Sequence, residues 1–447
     1  MRTIRRTSIL LIFVAIFSAF SVVWAAPPLM TVAIPATPAG EALNAWLEAF
    51  NSGDRARIEA FCKRYEPPVP PEQMLMFQRQ TGGFDLLAIS DDQPRRIGFR
   101  VQEKGGATTA VGTLELKDGE PPHIGELVVR AIPPGMRAED MDIRVDAAMR
   151  ARILDNIAAK LTEFYVYPDG AQKMVAALRA HRQKGEYDAI VDGNAFARLL
   201  TQQLRAVSHD GHLRVDCVPN VLPPTDPGED DPVDPARRAR LEHDNCGFEK
   251  AERLSGNVGY LKLDFFGDPS VCGATATAAF GFLANVDALI IDLRENHGGD
   301  PHMVAYVASY LFGARTHLND IYERQANKTT QYWTKPELPG KKLASQPVYV
   351  LTSKSTFSGG EELTYDLKSL KRATIVGEAT GGGAHPTMPK RVDDHFLIGV
   401  PFARPINPVT KRDWEGSGVA PDVKVAAEQA LATAQKLAAE RTVPRKP

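Results

Sequence analysis

The feature that most constrains this chain is a series of short apolar strands in its C-terminal half, each followed by a helical pattern. Ala288-Leu289-Ile290-Ile291-Asp292-Leu293 is apolar throughout but for one acid. A run of that kind suits a strand buried on both faces of a sheet. Val304, Val307, Ala308 and Leu311 then recur at helical spacing over about 302–312. Val348-Tyr349-Val350-Leu351 repeats the strand, and Leu363, Leu367 and Leu370 repeat the helix. Val258–Leu263 supplies an earlier strand and Thr374-Ile375-Val376 a later one. Such alternation predicts parallel strands joined by right-handed crossovers, an α/β core over 248–432.

Residues 1–26 read as a signal peptide. Arg2, Arg5 and Arg6 precede an apolar run over 9–23, and Val23-Trp24-Ala25 ends in a small residue suited to cleavage. The expectation is export, periplasmic or extracellular, with no membrane association after cleavage. No internal repeat and no further transmembrane segment is evident. The remaining length exceeds one ordinary core and predicts two or three domains. A formal net charge of −2 gives no support to a nucleic-acid partner. Cys62, Cys217, Cys246 and Cys272 lack metal-site spacing. A bridge between Cys217 and Cys246 would staple the base of the loop between them.

Residues 27–138 predict a small α+β accessory domain. Leu43, Trp46, Leu47 and Phe50 mark an amphipathic helix, and 96–101 and 110–114 alternate like antiparallel strands. Helix first and curled sheet after resembles the cone-shaped nuclear-transport-factor-like class. Residues 139–218 read as helical, with Ile153, Ile157 and Leu161 on one face and Phe196, Leu200 and Leu204 on another, before a turn holding His209 and His212. Residues 219–247 are rich in proline and acid, including Asp226, Glu229, Asp230, Asp231 and Asp234, and predict a mobile loop that is either a solvated charge run or a lid. Residues 433–447 are set apart as a C-terminal tail.

In open α/β sheets, ligands sit beyond the carboxyl ends of strands. Two turns lie at such ends, 294–300 with Gly298-Gly299, and 352–362 with Ser358-Gly359-Gly360-Glu361. A hydroxyl at a helix start gains from free N–H groups able to hold an oxyanion. Ser358 with Glu361 is equally an ordinary capping box, and local sequence leaves both readings open. His209 and His212 could begin a metal site, yet no carboxylate or cysteine at helix spacing joins them.

Read together, Asn296-His297-Gly298-Gly299, Ser358-Gly359-Gly360-Glu361, Gly377-Glu378-Ala379-Thr380-Gly381-Gly382 and Trp414-Glu415-Gly416 resemble the C-terminal-processing (tail-specific) serine peptidase superfamily. The branch is similar to interphotoreceptor retinoid-binding protein modules and tricorn-like peptidases, over about 142–430. The resemblance implies a multidomain α/β protein whose core is the crotonase-like, ββα-type superhelical sheet fold of the processing peptidases. It implies Ser358 as nucleophile and Gly299 and Gly359 as oxyanion donors. The lysine used by many processing peptidases falls here on glycine, Gly382 or Gly383, leaving Lys390, Lys354 and Lys368 as substitutes. The tricorn-like branch implies His212 as base, oriented by Glu415, with His209 as the competing base. No PDZ-like stretch lies between the helices and the core.

The expectation is an exported serine peptidase that cleaves peptide or protein substrates through an acyl-enzyme, with no metal and no organic cofactor. The alternatives are a non-catalytic ligand-binding protein on the same fold, or an esterase or amidase.

Overall fold

A computed structural model of the chain describes residues 32–224, 226 and 235–442. The signal-peptide reading, and Glu229, Asp230, Asp231 and Asp234 of the acidic loop, lie outside the described residues. The chain divides after Ile132 into two compact units.

In the first unit, helices α1 (Pro38–Ser52), α2 (Arg55–Tyr65) and α3 (Pro71–Thr81) precede an antiparallel meander. Its strands are β1 (Phe84–Gln93), β2 (Arg96–Glu103), β3 (Thr109–Leu116) and β4 (Ile124–Ala131), paired in chain order. Thr37 caps α1 by accepting the Gly40 N–H, and Gly53 ends it at φ 62°. Leu43, Trp46, Leu47 and Phe50 of α1 join one core with Ile97, Phe99 and Val101 of β2.

The second unit opens with α4 (Ala147–Phe164), α5 (Pro168–Gln183) and α6 (Gly193–Ser208), then β5 (Arg214–Cys217) and α7 (Pro235–His243). Next come β6 (Phe248–Leu254), β7 (Val258–Leu263), α8 (Pro269–Phe282), β8 (Ala288–Asp292) and α9 (Pro301–Ser309). β9 (His317–Glu323), β10 (Lys328–Trp333), β11 (Val348–Thr352), α10 (Gly359–Ser369) and β12 (Thr374–Gly377) follow. The unit closes with β13 (Thr387–Asp393), β14 (Phe396–Pro401), β15 (Ala403–Ile406), β16 (Val423–Lys424) and α11 (Ala427–Thr442).

Its main sheet has the order β16-β12-β11-β8-β7-β6, with every pair parallel except β7–β6. Alternate residues feed two cores. Leu289, Ile291, Val350 and Ile375 meet Phe280, Val307 and Leu367 of α8, α9 and α10 on one face. Ala288, Ile290, Tyr349 and Val376 meet Ala430, Ala434 and Ala438 of α11 on the other. For residues 433–442, that second face corrects the reading as a tail. Alanines at four-residue spacing, good helix formers with no bulk, let α11 lie close under the strands.

Two smaller sheets complete the unit, β10-β9-β15 and β13-β14-β5. In the latter, β5 of the helical segment pairs antiparallel with β14, Arg214 facing Gly399 and Cys217 facing Phe396. Phe196, Leu200, Val215, Ile398 and Val400 share the core beneath it. This pairing ties the histidine-bearing turn to the C-terminal part of the unit.

The disulfide also differs from the expectation. Cys246 bonds Cys272 of α8, with a Cα–Cα distance of 5.5 Å, whereas Cys217 lies in β5 on another sheet. The described residues of the acidic segment 219–247 include a helix and an anchored carboxylate. Residues 235–243 form α7, and Asp226 accepts from Lys160 Nζ (3.2 Å) and the Arg391 N–H (2.7 Å).

Candidate active site

The main sheet points the carboxyl ends of β8 and β11 to one edge, and the two glycine turns meet there. Ser358 caps α10 with φ 51° and ψ −120°. For a residue with a Cβ this conformation costs about 1–3 kcal/mol and persists only where the surroundings over-determine it. Glu361 supplies much of that constraint. Its buried carboxylate accepts from the Ser358 N–H (3.0 Å), Thr380 Oγ1 (2.5 Å), the Gly382 N–H (2.7 Å) and the Gly383 N–H (2.8 Å). Burial still leaves its pKa raised against these four donors.

Asn296 builds the facing turn. Its Oδ1 accepts the Gly298 N–H (2.9 Å), its Nδ2 donates to the Leu263 carbonyl (2.7 Å), and its own carbonyl accepts the Phe357 N–H (2.9 Å). Both glycines of the turn are required. A Cβ on Gly298 would lie 2.6 Å from Ser358 Cβ, and one on Gly299 would lie 2.1 Å from the Phe266 carbonyl oxygen. A Cβ on Gly359 would stand 3.1 Å from the Gly299 nitrogen, so the two backbones are in close approach. Among the described residues, the N–H groups of Gly299 and Gly359 donate to no acceptor. Such a pair beside a serine can receive a developing oxyanion.

His212 packs against Phe357, the residue that precedes Ser358 in the chain, with ring centroids 4.7 Å apart. Asp210, 1% exposed, organises the surroundings. Its Oδ1 accepts the His212 backbone N–H (3.0 Å). Its Oδ2 meets His385 Nδ1 (2.7 Å) and accepts from Tyr165 Oη (3.3 Å). The Glu415 Oε2 accepts the Ala384 N–H (2.6 Å) and stands 3.4 Å from His385 Nδ1. His212 Nδ1 and Glu415 Oε1 are both buried without a hydrogen-bond partner among the described residues.

The two histidines titrate in opposite directions. Burial pulls the His212 pKa down to about 4; Asp210 opposes this, and the charge of His385 adds to it. Burial also acts against a charged His385, but the Asp210 hydrogen bond and charge, with Glu415 behind them, outweigh it and raise its pKa. Burial likewise pushes Glu415 up to about 7. His385 therefore holds the proton of the pair, and His212 stays a neutral imidazole able to accept one.

Ser358, Gly299, Gly359, His212 and Glu415 thus lie in neighbouring segments of one region, but Glu415 contacts His385 in place of His212. His209 ends α6 in a left-handed conformation (φ 56°) and is exposed. Of the lysines, Lys368 bonds the Ala420 carbonyl and Asp422, Lys390 lies over the Phe164 ring, and Lys354 is exposed. Sequence reasoning missed Asp210 and His385. The trace of His385 is its place directly after the glycine turn, in Gly381-Gly382-Gly383-Ala384-His385-Pro386. Asp210, His212 and Glu415 each offer a donor atom within 4.8 Å of the others, a set a divalent cation could meet. Both Asp210 oxygens, however, already serve protein donors.

The fold defines a multidomain α/β protein with a peptidase-type core. Family models identify it further: residues 257–425 match peptidase family S41, and residues 143–243 match the N-terminal domain of peptidase S41 in eukaryotic IRBP. The chain belongs to peptidase family S41. The carboxyl-terminal-processing peptidase 2 of the Arabidopsis thaliana chloroplast is 28% identical over 186 residues, 40% of this chain and 33% of the relative. The chain thus spans about a third of the length of that curated relative. A putative peptidase from Parabacteroides merdae (TM-score 0.46, 18% identity) covers 65% of this chain and 96% of its own. The photosystem II D1 C-terminal processing protease (TM-score 0.40, 18% identity) covers 67% and 100%. Tricorn protease (TM-score 0.43, 11% identity) covers 80% and 46%.

Proposed function

We propose that this protein is an exported serine peptidase that hydrolyses peptide bonds through an acyl-enzyme at Ser358, with a histidine base. One observation carries the reading: Ser358 sits at positive φ at a helix start, beside two unspent N–H groups, those of Gly299 and Gly359. An ordinary capping serine needs neither the backbone strain nor the facing glycine turn.

In this mechanism His212, neutral above about pH 4, takes the Oγ proton as Ser358 attacks the scissile carbonyl. The oxyanion forms toward the Gly299 and Gly359 N–H groups. His212 then protonates the leaving amine, and water, activated by the same imidazole, releases the acyl group and restores the serine. Asp210 fixes the His212 loop through its backbone, and His385 with Glu415 holds Asp210 in turn.

The test is fluorophosphonate labelling of the protein beside Ser358→Ala and His212→Ala. Labelling lost in both supports the mechanism. Loss in Ser358→Ala alone removes His212 from the base role. A well-folded wild type that never labels sinks the enzyme reading and favours a binding protein. A panel of peptide and ester substrates separates peptidase from esterase, and N-terminal sequencing of protein secreted by its host checks cleavage near residue 26.

A further inference from the structure

Beside the His212 loop lies a groove of about 400 Å³, bounded by Arg205, His212, Arg214, Asp216, Phe357 and Gly399. Its floor is the outer face of the β13-β14-β5 sheet. Val215 and Ile398 point into the core, so their neighbours Arg214, Asp216 and Gly399 face the groove. The groove is walled by His212, the proposed base, and by Phe357, which directly precedes Ser358 in the chain. Gly399 keeps the floor open, since a Cβ there would press within 3.2 Å of Thr387 Cγ2.

The charges in this groove are unequally matched. Arg214 Nε is ion-paired with Asp216 at 2.8 Å. Arg205 donates through Nε to the Leu213 carbonyl (2.8 Å) and through one Nη to the Gly211 carbonyl (2.6 Å). These bonds fix the guanidinium but leave its other Nη unspent, and among the described residues no carboxylate ion-pairs with it. Partial burial first, and then the charge of Arg214, lower the Arg205 pKa against the opposing charges of Asp210 and Asp216, and an arriving anion would act in the same sense as those two carboxylates. A guanidinium held by neutral carbonyls, with donors to spare, is suited to a carboxylate.

We propose that this groove binds a carboxylate of the peptide substrate, and that Arg205 is the residue that selects it. The proposal rests on the peptidase reading. The carboxylate is either an acidic side chain near the scissile bond or the peptide's free C-terminus; both present the same group to Arg205.

Equilibrium binding tests it without turnover. Dye-labelled Ala-Ala-Glu-Ala-Ala, with Gln and Lys counterparts, each with free or amidated C-terminus, is titrated by anisotropy into wild type, Ser358→Ala and Arg205→Gln. Either the Glu peptide binds about tenfold tighter than Gln, with Lys weakest, or free termini bind about tenfold tighter than amidated ones. The first outcome assigns a side chain, the second the terminus. In Arg205→Gln the preference collapses while the Gln amide peptide binds as before. Six peptides bound alike by wild type overturn the proposal, whether or not the variant folds. A uniform loss across all peptides in Arg205→Gln does so too, because it reduces Arg205 to a brace of its loop. A labelled serine with no peptide preference sinks the groove alone, and a preference with an unlabelled serine sinks hydrolysis alone.

Discussion

The Ser358 turn and the Asp210 cluster are built in opposite ways. The first is made largely from backbone, two glycine turns at adjacent strand ends held by Asn296 and Glu361. The second is made from side chains contributed by three distant segments, 210–212, 385 and 415, and among the described residues it leaves His212 Nδ1 and Glu415 Oε1 without partners. A backbone-built half has one geometry, dictated by where glycine is tolerated. A side-chain-built half can be retuned by one substitution, because each member acts on the others' charge. The proton acceptor accordingly sits in the adjustable half and the oxyanion donors in the rigid one.

The sharpest way to break this contrast is Ser358→Ala, which should lower acylation by at least about 10⁴-fold while leaving the melting temperature nearly unchanged. Calorimetry beside labelling checks it; a large loss of stability would make Ser358 a structural cap.

His212→Ala should lower the acylation rate by about 10²–10⁴-fold, and His385→Ala by about tenfold. The first should abolish the acid limb of the pH profile, and the second should move it. In wild type the acid limb should centre near about pH 4, where His212 charges. Without the His385 charge, the limb should rise toward the ordinary histidine value. Labelling rates from pH 3.5 to 8 measure both, and an unmoved limb would reduce His385 to packing.

Stability should follow the same residue. The unfolded chain takes up a proton on His212 near pH 6.5 that the folded chain refuses until about pH 4, so folding stability should fall as pH drops through that window. His212→Gln should flatten this part of a denaturant-midpoint profile against pH.

The smallest effect concerns the helix that carries Ser358. Glu362 is buried inside α10 with its pKa pushed up to about 7, by burial first, against one amide donor from Asn319 (3.3 Å). The folded state keeps that proton longer than the unfolded chain, so this group's penalty grows as pH rises from the usual carboxylate range to about 7. Glu362→Gln should therefore stabilise the protein at pH 8 by on the order of 1 kcal/mol and have little effect at pH 4. Equal midpoints at pH 8 would show the carboxylate already compensated.

Periodicity and glycine spacing in the sequence determined the strands β7, β8, β11 and β12, their helices and the two turns at their ends. These are local consequences of apolar patterning and of backbone that only glycine tolerates. The meeting of Asn296 with Gly298-Gly299 and of Ser358 with Glu361 was legible for the same reason, each pair lying within three residues. The tertiary structure alone decided the rest. Pairing of β5 with β14 brings His212 against Phe357, beside the serine in the chain, across nearly 150 residues, and Asp210 finds His385 across 175. Cys246 chose Cys272 over Cys217 because α8, not β5, passes beside it. Residues 433–447 read as a tail, yet Ala434 and Ala438 join Ala430 in covering a face of the main sheet. Contacts of this range depend on which surfaces the packed layers present to each other, and no local pattern encodes that.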